Sequence, residues 1–261
     1  MAVETHVEDA IARATEEQEI VAAKRDAIEQ FSDRISELTP ESNATATPAI
    51  ATTGGQTRGY ETGGGQCRTV RQLFTETVYP HALDEIEETE SVHAAIGNEL
   101  SAEVAVALAP ATDAPFSATL KRALLGETES RHAETAVLAR ALEREVEQLR
   151  AAQSLVKEST TWISRAETTP LTALEFGELR ERHERLAAFR DQCESVAHER
   201  QAFLAGTTNI GVDVGVSHQL FPSYLYQSFP DDHPALATVA RLADTCKSCQ
   251  RTVRAHLTRR S

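Results

Sequence analysis

An all-α fold, a helical bundle with a long antiparallel coiled-coil-like helix hairpin and a glycine-rich loop, is what this 261-residue chain predicts. Three observations carry that expectation. Apolar residues return at steps of three and four through most of the chain, the period of one helix face. Prolines and glycines fall between those stretches rather than inside them. The two longest stripes are joined by a very short connection, which folds consecutive helices back on each other.

The first stripe is Val3, Val7, Ala10, Ala14, Val21, Ile28, Phe31, Ile35 and Leu38, a heptad pattern that makes residues 1–39 an N-terminal amphipathic helix ended by Pro40. The same register puts Glu17 and Lys24 in the seam, where a charge weakens packing but fixes register. Residues 40–69 form a Gly/Thr-rich loop or linker, because six of the twelve glycines lie between Gly54 and Gly65. Helical pattern resumes at Val70, is interrupted at Pro80 and runs on to Pro110, with Asp113 or Ser117 as the cap of the next helix. Between His81 and Pro110 there are seven acids and no Lys or Arg, so one face there is expected in solvent.

The longest run follows, Leu120, Leu124, Leu138, Leu142, Val146, Leu149, Ala152 and Val156. Unbroken from Ser117 to Arg165, it would extend about 70 Å at 1.5 Å per residue, more than a small globule covers. Thr169 and Pro170 mark the next start, as N-cap and first helical residue, for the stripe Leu171, Leu174, Leu179, Leu186, Phe189, Cys193, Val196 and Phe203, which Gly206 closes. Residues 117–205 therefore read as the hairpin, and 70–116 with 206–261 as a bundle module. Phe221, Tyr224, Tyr226 and Phe229 place four of thirteen aromatics within nine residues, a core plug with its tyrosine hydroxyls at the wet edge. A last helix, from Asp232 and Pro234, carries Leu236, Val239, Leu242, Cys246, Cys249 and Val253.

Charge narrows the function classes. The chain has 40 acidic and 26 basic residues, net −14, and only Lys24, Lys121, Lys157 and Lys247 are lysine. An Arg-dominated acidic surface suits a cytoplasm rich in salt, where the Debye length falls to about 3 Å at 1 M. Such a surface argues against nucleic acid, which requires basic faces to displace counterions. No stretch approaches the roughly 18 apolar residues of a membrane span, and the acidic first residues lack the pattern of a secretory signal. The expectation is a cytoplasmic protein without a membrane segment.

Two groups of residues could carry chemistry. Cys246 and Cys249 have the spacing of a zinc or redox pair, and a four-thiolate site would recruit Cys67 and Cys193. Both also lie on the apolar stripe, where a cysteine acts as a small hydrophobe, so the first expectation is no cofactor, with zinc as the alternative. Arg58, Tyr60, Arg68 and Arg71 flank the glycines and could present cations and amides to an anion or a partner. No Gly-Lys-Ser/Thr motif accompanies them, so this is not a P-loop. Acid pairs such as Glu16 and Glu17, or Glu87 and Glu88, read as solvated face.

Several stretches resemble an uncharacterised haloarchaeal family of helical proteins, a domain of unknown function. They are Thr57 to Tyr60, Gly63 to Arg68, Arg182 to Ala188, Tyr224 to Tyr226, and His233 to Leu242 with the Cys246 and Cys249 pair. The resemblance implies a halophilic source and no activity or cofactor. The expected role is a helical protein–protein interaction or scaffold protein rather than an enzyme, meeting a protein partner or a second copy as a homodimer. A metal- or thiol-based sensor using Cys67, Cys246 and Cys249 is the first alternative, and a DNA- or nucleotide-binding regulator the second.

Overall fold

A computed structural model of the chain describes residues 5–41, 65–82, 91–112, 114–206 and 220–259, the side chains at 205, 206, 220 and 221 excepted. Arg58, Tyr60, Glu87, Glu88 and the extended piece beginning at Gly211 lie outside the described residues. Among those described, the chain is helical and without strands, as its periodicity predicts. The α-helices are α1 (Val7–Glu37), α2 (Gly65–Glu76), α3 (Val92–Glu99), α4 (Ala102–Leu108), α5 (Ala118–Glu167), α6 (Phe176–Gly206), α7 (Leu220–Leu225) and α8 (Pro234–Leu257). Two compact units divide the chain, one of residues 19–139 and the other of 1–18 with 140–261.

The unit of residues 19–139 packs the later part of α1, the first part of α5, and α2, α3 and α4. Ile28, Phe31, Ile35, Val70, Phe74, Ile96, Leu108 and Leu124 form its core, and Phe31 meets Phe74 edge to face at 5.7 Å. Ser32 lies opposite Thr128, and Leu38 opposite Lys121, so α1 and α5 run antiparallel here. Short helices leave many terminal groups without intrahelical partners, and side chains close most of these ends. Ser91, Ser101 and Ser117 accept from Ala94, Val104 and Leu120 amides as N-caps of α3, α4 and α5. At the C-termini the donors are cations: Lys121 to the Ser36 and Leu38 carbonyls, Arg71 to Leu108, and Arg131 to Asn98 and Glu99.

In the other unit α5 and α6 form the expected antiparallel hairpin. Glu145 meets Arg200, Trp162 meets Phe189, and Thr169 meets Arg182. Cys246 and Gln250 of α8 lie against Cys193 and Arg190 of α6, so α8 is antiparallel to α6 in turn. Gln153 donates to Glu8 and ties α1 to this part of α5.

Three expectations change. Pro170 is not the first residue of α6: it precedes a 3-10 turn, Leu171–Ala173, and the helix starts at Phe176, where Glu178 accepts the Glu175 amide in half of a capping box. The loop placed at 40–69 ends earlier, since Gly65 to Thr69 already form the first turn of α2. Of the acids between His81 and Pro110 that lie within the described residues, Glu103 is exposed and Glu99 is buried. The third change concerns α5, which does not run uncovered, since it buries residues from Leu120 to Ile163, nearly its whole length.

Candidate functional site

The α5–α6 turn is built by local chemistry. Thr168 turns its hydroxyl back to the Arg165 carbonyl at 2.7 Å, ending α5 within a turn. Pro170 then holds extended backbone into the 3-10 turn, and Arg182 donates across to the Thr169 carbonyl at 3.2 Å. Because the chain must leave α5 and re-enter α6, the two helices do not interdigitate fully at this end, and a cleft of about 310 Å³ remains against α8. Its lining is mainly apolar, with Trp162, Leu171, Leu186 and Val253, and it includes Arg182 and Cys249. Trp162 also borders a second groove, with Lys157, Arg165, Arg185 and Glu158. Arg185 pairs with Glu158 at 2.7 Å and lies 4.5 Å over the Phe189 ring. In a chain of net charge −14, a place where cations outnumber carboxylates stands out.

Deeper in the same unit is a polar cluster whose Glu145, Arg200 and Tyr226 are buried. Arg200 clasps both oxygens of Glu145 and also donates to Gln148 at 2.8 Å, and Tyr226 donates its hydroxyl to Glu145 Oε1 at 2.6 Å. Arg200 is 1% and Glu145 0% exposed, so the pair is desolvated and each charge depends on the other. Burial, and next the Glu145 carboxylate, push the Tyr226 hydroxyl pKa up. Tyr226 therefore is not at the wet edge of an aromatic plug. Its neighbour Tyr224 is half-exposed and Phe229 packs on the Tyr226 ring at 5.4 Å.

The thiols separate by unit. Cys193 and Cys246 are buried against each other between α6 and α8, and Cys249, one turn on, is partly exposed at the cleft. Burial raises the Cys193 pKa to about 12 and the Cys246 pKa to about 11. Cys249 is raised by burial and then by Glu167. All three stay protonated near neutral pH, the form that does not attack a disulfide. Cys67 belongs to the other unit, where its thiol donates to the Ala114 carbonyl at 3.3 Å and burial, more than Glu41, raises its pKa. Among the described residues no three His, Cys, Asp or Glu side chains gather so as to hold a metal ion. Arg71 is engaged at the α4 C-terminus, and Arg68 is exposed on α2.

Sequence reading named Glu17 and Lys24 as seam charges, and both are buried: Glu17 pairs with Arg13 at 2.8 Å, and Lys24 with Glu99 at 2.9 Å. It passed over Glu145 and Arg200, although the same signal marks them. Glu145 falls between Leu142 and Leu149, and Arg200 between Val196 and Phe203, at seam steps of three and four. It also passed over Trp162 and Arg182, which no periodicity singles out. None of the described helices is long and apolar enough to cross a membrane.

No curated protein and no solved structure matches the chain. Residues 5–250 match the model of a domain of unknown function, DUF7260, and the chain belongs to that family.

Proposed function

We propose that the chain is a helical protein–protein interaction or scaffold protein of a salt-rich cytoplasm, working by binding rather than catalysis, with a protein partner or a second copy of itself. The observation that supports this most is the ion pair at seam positions inside the bundle, Glu145 with Arg200. Apolar residues of similar volume would often hold two helices as tightly or more tightly. A buried pair contributes something else: any other register leaves a charge desolvated and unpaired. Interior charge that fixes geometry suits a protein whose product is its shape. The sensor reading on Cys67, Cys246 and Cys249 has less support: burial raises the pKa of all three, which opposes the thiolate that thiol chemistry requires, and no three candidate zinc ligands gather among the described residues.

Light scattering and crosslinking of the purified chain in molar KCl test the proposal, together with affinity capture from its native extract. The expected result is a dimer or a stoichiometric partner, lost in a Glu145→Leu, Arg200→Met, Tyr226→Phe triple variant that stays folded but no longer fixes register. A compact monomer that retains no partner would overturn it.

A further inference from the structure

The end of the α5–α6 hairpin combines two surfaces that are uncommon side by side in this chain. The first is the apolar cleft, whose floor includes Leu186 and Val253, 2% and 4% exposed, and whose wall is Trp162. Its volume of about 310 Å³ falls at the low end of ligand pockets, roughly 300–1,000 Å³, which lie preferentially between the helices of bundles. At about 30 Å³ per water-sized group, it accommodates on the order of ten non-hydrogen atoms. The second surface is cationic. Arg182 lines the cleft itself and gives one nitrogen to the Thr169 carbonyl, while Lys157, Arg165 and Arg185 lie in the groove that shares Trp162. Two carboxylates, Glu158 and Glu167, oppose these four cations. Glu158 is taken up by Arg185.

An apolar cavity alone selects nothing beyond size. A guanidinium at its edge does, because it offers paired donors that match a carboxylate or phosphate. We infer that the hairpin-end cleft binds a small amphiphilic anion, its apolar body against Trp162, Leu186 and Val253 and its carboxylate or phosphate head on Arg182, within the field of the adjoining cationic groove. A neutral amphiphile lacks the charge-assisted hydrogen bonds, and a cationic one meets like charge. This site is independent of the scaffold reading, which depends on register inside the bundle.

Trp162 is the chain's single tryptophan, so its emission reports the cleft directly. The purified chain is titrated with decanoate, decyl phosphate, decanol and decyltrimethylammonium at the lowest salt that preserves its helical circular dichroism. Decanoate or decyl phosphate should shift the emission saturably, about tenfold more tightly than decanol, and the cation should bind weakest. The ratio between the two anions tells whether the head is a carboxylate or a phosphate. Arg182→Gln should remove the preference for anions and leave decanol unchanged, while Val253→Phe, which fills the cleft, should abolish both. Should Val253→Phe fail to fold, Leu171→Phe narrows the same cleft from its rim and leaves Trp162 the single tryptophan. No saturable shift, an equal response to all four probes, or an anion preference that survives Arg182→Gln would each overturn the site. None of these outcomes alters the mass or the partner of the chain, so the two proposals fail separately.

Discussion

The two units place their cations differently. In residues 19–139 the cations go mostly to helix ends: Lys121, Arg71 and Arg131 donate to the last carbonyls of α1, α4 and α3. In the unit of 1–18 and 140–261, Arg200 goes to a carboxylate at the centre of long helices, and Tyr226 seals it. Helix length accounts for the part of the contrast that involves α3 and α4. Every helix ends in four carbonyls without intrahelical partners, so α3 and α4, of eight and seven residues, are mostly ends. The longer α5 and α6 have few ends and long seams, and their polar problem is register. The Lys24–Glu99 pair lies between the two cases: it joins α1 to α3 as Glu145 and Arg200 join α5 to α6, but its carboxylate belongs to the last residue of a short helix.

The contrast can be broken at its strongest point first. Arg200→Met leaves Glu145 buried without its counterion and should destabilise the chain by about 3–5 kcal/mol in urea unfolding, whereas the Glu145→Leu, Arg200→Met, Tyr226→Phe triple variant should come back close to the parent stability. A cost that persists in the triple variant would mean that the cluster stabilises rather than specifies. Lys24→Met should cost less, about 1–3 kcal/mol, because Arg131 Nε still lies 3.4 Å from the Glu99 carboxylate. That Nε–H is directed to the Glu99 carbonyl, so the remaining attraction is Coulombic rather than a hydrogen bond. Arg71→Ala should cost about 1 kcal/mol, the worth of a cation at a helix C-terminus, and its thermal melt should shift by a small amount only.

The thiols give the weakest lever at neutral pH and a distinct one in alkali. Cys193 and Cys246 hold their protons in the folded chain to about pH 12 and 11, against an ordinary thiol value of 9.0. Above that ordinary value the unfolded chain loses those protons while the folded one keeps them, so stability is full below about pH 9 and falls as pH rises towards 12. Urea midpoints measured along that range should decline, and Cys193→Ala with Cys246→Ala should flatten the decline. At neutral pH a thiol reagent should titrate Cys249 ahead of the other three, which are buried.

Local patterns made much of this molecule legible. The stripe from Val7 to Ile35 is the buried face of α1, and Ser117 starts α5 where cap chemistry places it. Lone charges at seam steps of three and four mark Glu17 and Lys24 in α1, and mark Glu145 in α5 and Arg200 in α6 in the same way. The cleft was not legible, because a void is a property of three helices failing to meet. Leu186 and Val253 are ordinary stripe residues until α8 is set beside the turn, and Trp162 lies on none of the stripes.

Helicity, punctuation and the antiparallel hairpin were determined by the sequence by itself, since periodicity, caps and a short connection act over a few residues. Only the tertiary structure decided which charge closes which. Glu99 and Lys24 are 75 positions apart, and Tyr226 stands 81 from Glu145. Pairings at such separations depend on how helices pack, and it is burial, not spacing, that makes an unpaired charge too costly to leave alone.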